Sequence, residues 1–204
     1  SAGYPVTPIP GEESNLKITV NEDLRMAKGL LGEAPDFRIG LGGDAHRLVE
    51  GRELWLGGVR VEYPRGLLGH SDGDVLLHAI ADAIYGAMGD RDIGHHFPAD
   101  RDETRGIESR RILAHARGRM AETGFSLVGL DAVVVCEEPR IAPIASKLRA
   151  SIAEILGVPA EKVNLKGKTT EGMGFAGRKE GISAWAVALL RSTAPLSPPG
   201  GGLA

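Results

Sequence analysis

Cysteine is almost missing from this chain of 204 residues: Cys136 stands alone, so no intrachain disulfide can form and nothing points to an oxidising compartment. Aromatic residues are scarce, at 4%, and a core must therefore be built from Ala, Val, Ile and Leu. No apolar run approaches the roughly 20 residues of a membrane span, and the N-terminus shows neither a basic leader nor an apolar signal core. A large charge of either sign is lacking too. The net charge is -3 with a pI of about 6.1, which leaves a nucleic-acid or membrane surface without electrostatic support. The expected location is the cytoplasm, or the plastid stroma if the source is eukaryotic. What is present is ordinary in amount: 42% hydrophobic residues suit one principal domain with appendages.

The chain is organised around residues 66–82, a glycine-punctuated turn holding His70 followed by a helical pattern. Ser71 and Asp74 make an S-x-x-[DE] helix start. Asp74, His78 and Asp82 recur every four residues, which places them along one helix face, an imidazole between two carboxylates. Val75, Leu76, Ala79, Ile80, Ala83 and Ile84 form a face fit for burial against a sheet. Taken alone, this stretch fits either a cation or ligand site or a hydrogen-bonded histidine flanked by solvated aspartates.

Residues 1–35 predict a short strand, Leu16 to Val20, and a helix after Asn21 that ends at Gly32 and Pro35; the segment is too short for a core of its own. Asp44 and His46, two apart in an extended segment, project from one face, a pairing that alone says little about a metal. Residues 53–62 predict a hairpin turning at Gly57 and Gly58. The loop 89–98 carries acids and the His95–His96 pair, expected to be solvent-exposed because adjacent side chains rarely converge on one ion. A basic amphipathic helix is predicted over 107–123, its arginines forming a solvated face. Residues 130–136 read as a buried strand, with Cys136 serving packing, and Ile144, Leu148, Ile152 and Ile155 make the stripe of a further helix. Lysines, threonines and glycines over 163–181 suit a phosphate-contacting loop, although the Walker A pattern does not occur. A last Ala-rich strand runs from Ile182 to Leu190, and 194–204 is expected to be a disordered tail.

Four motifs in order carry a resemblance: Ile39 to Arg47; His70-Ser-Asp-Gly-Asp74 with His78 and Asp82; Asp92-Ile-Gly94 with Phe97-Pro98; and Thr169-Thr-Glu171 with Gly174-Phe175 and Gly177-Arg178. Together they resemble 2-C-methyl-D-erythritol 2,4-cyclodiphosphate synthase from about Phe37 to Thr193. The resemblance implies an α+β fold with a four-stranded mixed sheet, helices on one face, and a homotrimer with active sites between subunits. It implies a substrate, 4-diphosphocytidyl-2-C-methyl-D-erythritol 2-phosphate, converted to the cyclic diphosphate with release of CMP in non-mevalonate isoprenoid synthesis. By the same resemblance, Asp44, His46 and His78 hold a divalent ion, zinc in the first instance, with an open position for a phosphate oxygen. Asp74 and Asp82 become outer supports or hydroxyl acceptors. Glu171 holds a second, harder ion such as magnesium or manganese. His70 and Thr169 join the catalytic groups. His70 and Ser71 contact phosphates and sugar, and Asp82, Asp92, Ile93, Gly94 and Phe97 contact the substrate, with Asp92 and Gly94 holding the erythritol. Cys136, Pro139, Arg140, Ile141 and Ala142, with Gly167, Lys168, Thr169, Thr170 and Glu171, bind the cytidine diphosphate part. Phe175 and Arg178 line a cavity on the trimer axis that can hold an isoprenoid diphosphate.

The pattern departs from the family at Ala99-Asp100-Arg101, where Asp-Thr-Asp is commoner, so no erythritol contact is carried onto Asp100. Lys168 stands in a Thr-rich position and Arg140 where Lys is usual; both keep or raise positive charge near the nucleotide. Gly11 to Leu24 resembles the closing strand and helix of 2-C-methyl-D-erythritol 4-phosphate cytidylyltransferase, so residues 1–35 read as the remnant or linker of a bifunctional fusion. Two competing readings stand beside this one: a zinc-dependent phosphohydrolase, and a non-catalytic subunit that binds isoprenoid diphosphates.

Overall fold

The computed structural model describes residues 17–23, 27, 36–98, 100–101, 104 and 106–193, in two compact units, 1–35 and 36–204. In the first unit, Lys17 to Val20 form no strand, against expectation, and a helical turn covers Asn21 to Asp23. The Asp23 carboxylate gathers that turn, accepting from the amides of Thr19 and Val20 and from the Thr19 hydroxyl. Most of the predicted helix that follows, and the tail from 194, lie outside the described residues.

The second unit contains strands β1 (Phe37–Glu50), β2 (Leu54–Leu56), β3 (Val59–Val61), β4 (Arg65–Leu67), β5 (Phe125–Val135), β6 (Val163–Lys168) and β7 (Gly181–Ser192). Its helices are α1 (Val75–Met88), α2 (Ile93–His96), α3 (Ser109–Glu122), α4 (Ala145–Leu156) and α5 (Gly174–Gly177), with a 3-10 turn at Ala160–Lys162. The main sheet runs β4-β1-β7-β5-β6, parallel only between β5 and β6. Five strands stand where four were expected. β1 outruns β7, whose pairing stops at Arg47 and Gly181, and the surplus from Leu48 to Glu50 pairs with β4.

Along one row of this sheet Gly42, Ala186, Ala132 and Leu165 stand in register, and the neighbouring row is Gly43, Trp185, Val133 and Lys166. The first row is buried beneath the helices; in the second, Trp185 is 51% exposed. Small residues on the buried side bring α1 down onto the strands. A Cβ at Gly42 would overlap the Ala79 carbonyl oxygen, and one at Gly40 would meet the backbone of Ala83 and Ala87. Two glycines on β1 thus fit under three alanines spaced four apart on α1, so the backbones approach more closely than any larger pair would permit.

The β2–β3 hairpin turns at Gly57 and Gly58, both with positive φ (60° and 73°), as the primed turn of a tight hairpin requires. Its two turn amides donate to the Asp74 carboxylate at 2.9 and 2.6 Å, and Leu77 N donates at 3.1 Å. Asp74 is therefore the N-cap of α1 and fully buried, which corrects the reading of Ser71 as the helix start. α1 ends on Gly89 in the left-handed conformation, and α4 ends likewise on Gly157. Among the described residues no helix is long and apolar enough to cross a membrane.

A candidate metal centre between β1 and α1

Asp44 and His46 lie on β1, two residues apart and thus on the same side of the strand. The glycine-to-alanine contact lays His78 of α1 directly against them. His46 Nε2 and His78 Nδ1 are 3.2 Å apart, and each is 2.9 Å from Asp44 Oδ2. These are the ligand-bearing atoms of Asp44, His46 and His78, the one such group among the described residues whose atoms all lie within 4.8 Å of one another. A tetrahedral ion with bonds of roughly 2.0–2.1 Å would set its ligands roughly 3.3 Å apart. The present spacing fits such an ion with little adjustment, and the two imidazoles and one carboxylate are a donor set suited to zinc.

The charge balance agrees. Burial works to raise the Asp44 carboxyl, but hydrogen bonds from His46 and His78, with their charge, outweigh it and hold the group well below the usual carboxylate range. For His78 burial works to lower the pKa; the hydrogen bond and charge of Asp44, then Asp74 and Asp72, reverse that and raise it. The Asp44 anion favours a cation at this point, and the proton that it draws onto His78 is the competitor any metal ion must displace.

Support for the centre comes from Ser71 and from Ser109 and Asp72, the last two not singled out by spacing. His78 Nε2, the nitrogen facing away from Asp44, lies 2.9 Å from Ser109 Oγ and 3.1 Å from Ser71 Oγ. Ser109 in turn donates from its hydroxyl and amide to the two Asp72 oxygens. A carboxylate–serine–histidine chain of this kind fixes the ring's orientation and tautomer. The expectation of an imidazole flanked by Asp74 and Asp82 is corrected accordingly: Asp74 is consumed by the cap and the hairpin turn. Asp82 Oδ1 accepts from Ile93 N at 2.8 Å, which ties α2 to α1. Ser71 is likewise buried, its hydroxyl turned inward to His78 and Gly73 N. Sequence spacing could not reveal Ser109, which enters the site from a different helix.

Beside the triad lies a cavity of about 160 Å³ lined by His46, His70, Ser71, His78, Ile93 and Phe97, among others. His70 and Gly94 are exposed at this end of the unit, and Asp92 caps α2 by accepting from His95 N. Of the histidine pair, His95 is exposed as expected, whereas His96 folds inward, its side chain 14% exposed. Its ring stacks on Tyr85 at 4.4 Å between centroids. The arginines of α3 keep to a largely solvated face as expected, while Arg110 also reaches Gly58 O and Ser151, and Arg117 reaches Ile155 O near the end of α4.

The other predicted residues gather where β5 and β6 end side by side. Ile141 is buried, and a side chain at Gly167 would collide with it, so this close approach seats the 136–142 loop on β6. Cys136 is buried and burial, with the Glu137 charge, pushes its thiol up to about 11, which fits packing rather than nucleophilic chemistry. Pro139 follows a cis peptide bond, and Arg140 and Ala142 are exposed on the same loop. Opposite them, Lys168 and Thr169 are exposed and Thr170 half-buried; the Thr169 hydroxyl donates to Glu171 at 2.7 Å. Phe175 and Arg178 line a larger cleft of about 640 Å³ that shares His46 with the small cavity and adds Arg47, Arg65 and Lys179.

Known proteins agree with this arrangement. The model of the YgbB family matches residues 37–191. The bifunctional enzyme IspD/IspF of Desulforudis audaxviator is 51% identical over 191 residues, covering 94% of this chain and 48% of the relative. The bifunctional IspD/IspF of Paracoccus denitrificans is 43% identical over 93% of this chain and 50% of its own length. The chain thus spans about half the length of these curated relatives. Among solved structures, the bifunctional IspDF of Campylobacter jejuni superposes with a TM-score of 0.76 at 35% identity, over 90% of this chain and 50% of that one. A 2C-methyl-D-erythritol-2,4-cyclodiphosphate synthase with CDP bound matches at a TM-score of 0.70 and 37% identity, over 75% of this chain and 99% of that one. With its family match running from the first residue of β1 to within one residue of the end of β7, this chain belongs to the YgbB family, that of the IspF cyclodiphosphate synthases.

Proposed function

We propose that this chain converts 4-diphosphocytidyl-2-C-methyl-D-erythritol 2-phosphate to the 2,4-cyclodiphosphate and CMP, a step of non-mevalonate isoprenoid synthesis. The observation that carries this reading is the convergence of Asp44, His46 and His78, joined to a membership that extends over the whole second unit's sheet. In the reaction an oxygen of the 2-phosphate forms a bond to the β-phosphorus, and the bond from that phosphorus to the bridging oxygen breaks. CMP leaves with that oxygen. No covalent help from the protein is required; orientation and charge neutralisation are.

Asp44, His46 and His78 would hold a divalent ion, zinc by donor set, and such an ion supplies Lewis-acid neutralisation of phosphate oxygens. Glu171 would hold a second, harder cation, magnesium or manganese. Around these, the chain's own groups orient the substrate. Ile93 and Phe97 close the apolar side of the small cavity, excluding water from the polyol phosphate. His70 and Asp92 offer hydrogen bonds at its rim, while Thr169 and Lys168 face the diphosphate. The loop through Pro139, Arg140 and Ile141, with Gly167, takes the cytidine.

The exposed sheet face carries Phe37, Ile39, Leu41, Trp185 and Val187, the first four each more than half exposed. Bare apolar area of this kind supports a homotrimer closed around that face, with sites completed between subunits. The cleft of Arg178 and Phe175 would then take an isoprenoid diphosphate. Residues 1–35 read as the end of a cytidylyltransferase unit; matches to bifunctional relatives extend over 191 residues, more than the 155 from 37 to 191. Incubation of the zinc-loaded protein with the diphosphocytidyl substrate tests the proposal. Equal amounts of CMP and a cyclic diphosphate are expected; an acyclic phosphate product would replace it with hydrolysis.

A further inference from the structure

The parallel pair β5 and β6 ends in register at Val135 and Lys168, with Cys136 N donating to Lys168 O at 3.0 Å as the last rung. Beyond that rung the two strands release the loops just assigned to nucleotide and to phosphate. Glu137 is the first residue past it on the β5 side, and its carboxylate crosses to the other loop. Glu137 Oε1 accepts from Thr170 N at 3.0 Å and from Gly172 N at 3.2 Å, with the Thr170 hydroxyl at 3.4 Å. These hydrogen bonds, that of Gly172 first, hold the carboxyl below the usual range, so it is an anion wherever the protein is folded at neutral pH.

The two amides bracket Glu171, whose φ of 53° lies in the left-handed region. For a residue with a Cβ that conformation costs roughly 1 kcal/mol or more and persists only where its neighbours impose it. Gly172 at φ 78° continues the turn, and Gly177 packs so closely on the Gly172 backbone that Gly177 cannot carry a side chain without displacement. The turn presents the Glu171 carboxylate beside the Thr169 hydroxyl. Without an acceptor for the Thr170 and Gly172 amides, nothing else among the described contacts holds those two donors.

We infer that Glu137 is a positioning residue which splints the nucleotide-binding loop to the Thr169–Gly172 turn, so that CDP binding and cation binding at Glu171 reinforce each other. The inference rests on the proposed reading of these two loops. By linkage, whatever one ligand gains from an ordered turn the other gains equally.

The test uses the zinc-loaded full chain, with CDP and Mg2+ as probes, and compares Glu137→Ala and Glu137→Gln with the parent. In the parent each ligand should tighten the other. Glu137→Ala should weaken CDP binding about tenfold, the scale of losing charge-assisted hydrogen bonds, and abolish the mutual tightening, with zinc content unchanged. Glu137→Gln, whose amide oxygen still accepts both donors, should recover most of it. Backbone amide exchange at Thr170 and Gly172 should accelerate in Glu137→Ala. Parent-like CDP affinity and mutual tightening in Glu137→Ala, with unaltered exchange, would overturn the inference. If the parent itself ignores CDP, the nucleotide assignment of the loops fails, and the exchange measurement alone decides whether Glu137 holds the turn.

Discussion

His46 Nε2 and His78 Nδ1 face each other across 3.2 Å, from a strand and a helix 32 residues apart, and share one Asp44 oxygen. Two imidazole lone pairs aimed at one point repel unless a proton or a cation lies between them. With Asp44 beside them, the two rings form a candidate cation site.

His46→Ala should lose the bound zinc and nearly all cyclisation, because two remaining ligands leave an incomplete site. Elemental analysis of the purified protein measures this. Zinc at parent stoichiometry would refute the ligand assignment.

Zinc affinity should fall as pH drops, starting near neutrality. The Asp44 contact raises the His78 pKa, so the protonated ring competes with the ion above the ordinary imidazole range near 6.5 and prevails below it. Competition titrations with a chromophoric chelator from pH 8 to pH 5.5 should show affinity level at the alkaline end and declining through the window. A flat profile would contradict the raised pKa.

Ser109→Ala removes the hydroxyl between His78 and Asp72. Metal affinity should drop about 10- to 100-fold, the scale seen when an outer partner of a metal-bound histidine is lost. Thermal stability should change much less. Ser109→Thr, retaining the hydroxyl, should restore part of the affinity.

Gly42→Ala places a methyl against the Ala79 carbonyl. Lifting α1 should cost about 1–3 kcal/mol and move His78 away from Asp44, so both melting temperature and zinc content should fall. The same change at Gly86, where no such overlap exists, serves as the comparison.

Asp74→Ala strands the Gly57, Gly58 and Leu77 amides in a buried place. The expected loss is about 3 kcal/mol or more, read in urea unfolding. A loss below 1 kcal/mol would return Asp74 to a role in binding.

Much was legible in the chain. The Gly57–Gly58 turn follows from a dipeptide that tolerates positive φ, and the end of α4 from Gly157. The Asp-x-His pair follows from the two-residue period of a strand. Local chemistry decides such features within a few residues, so sequence alone determined them. Motif order likewise brought the family within reach. The period of four around α1, by contrast, suggested an imidazole supported by a carboxylate on either side, and tertiary structure gave the three residues different partners. Asp74 went to the hairpin, Asp82 to α2, and His78 alone to the cation site, because only a neighbour's identity tells a buried carboxylate from a ligand. Ser109, Asp72 and Glu137 act through elements distant in sequence, and β4 pairs only because β1 outruns β7. The cation site in particular depends on how closely Gly40 and Gly42 let a helix approach a strand, a distance that exists only once the chain has folded.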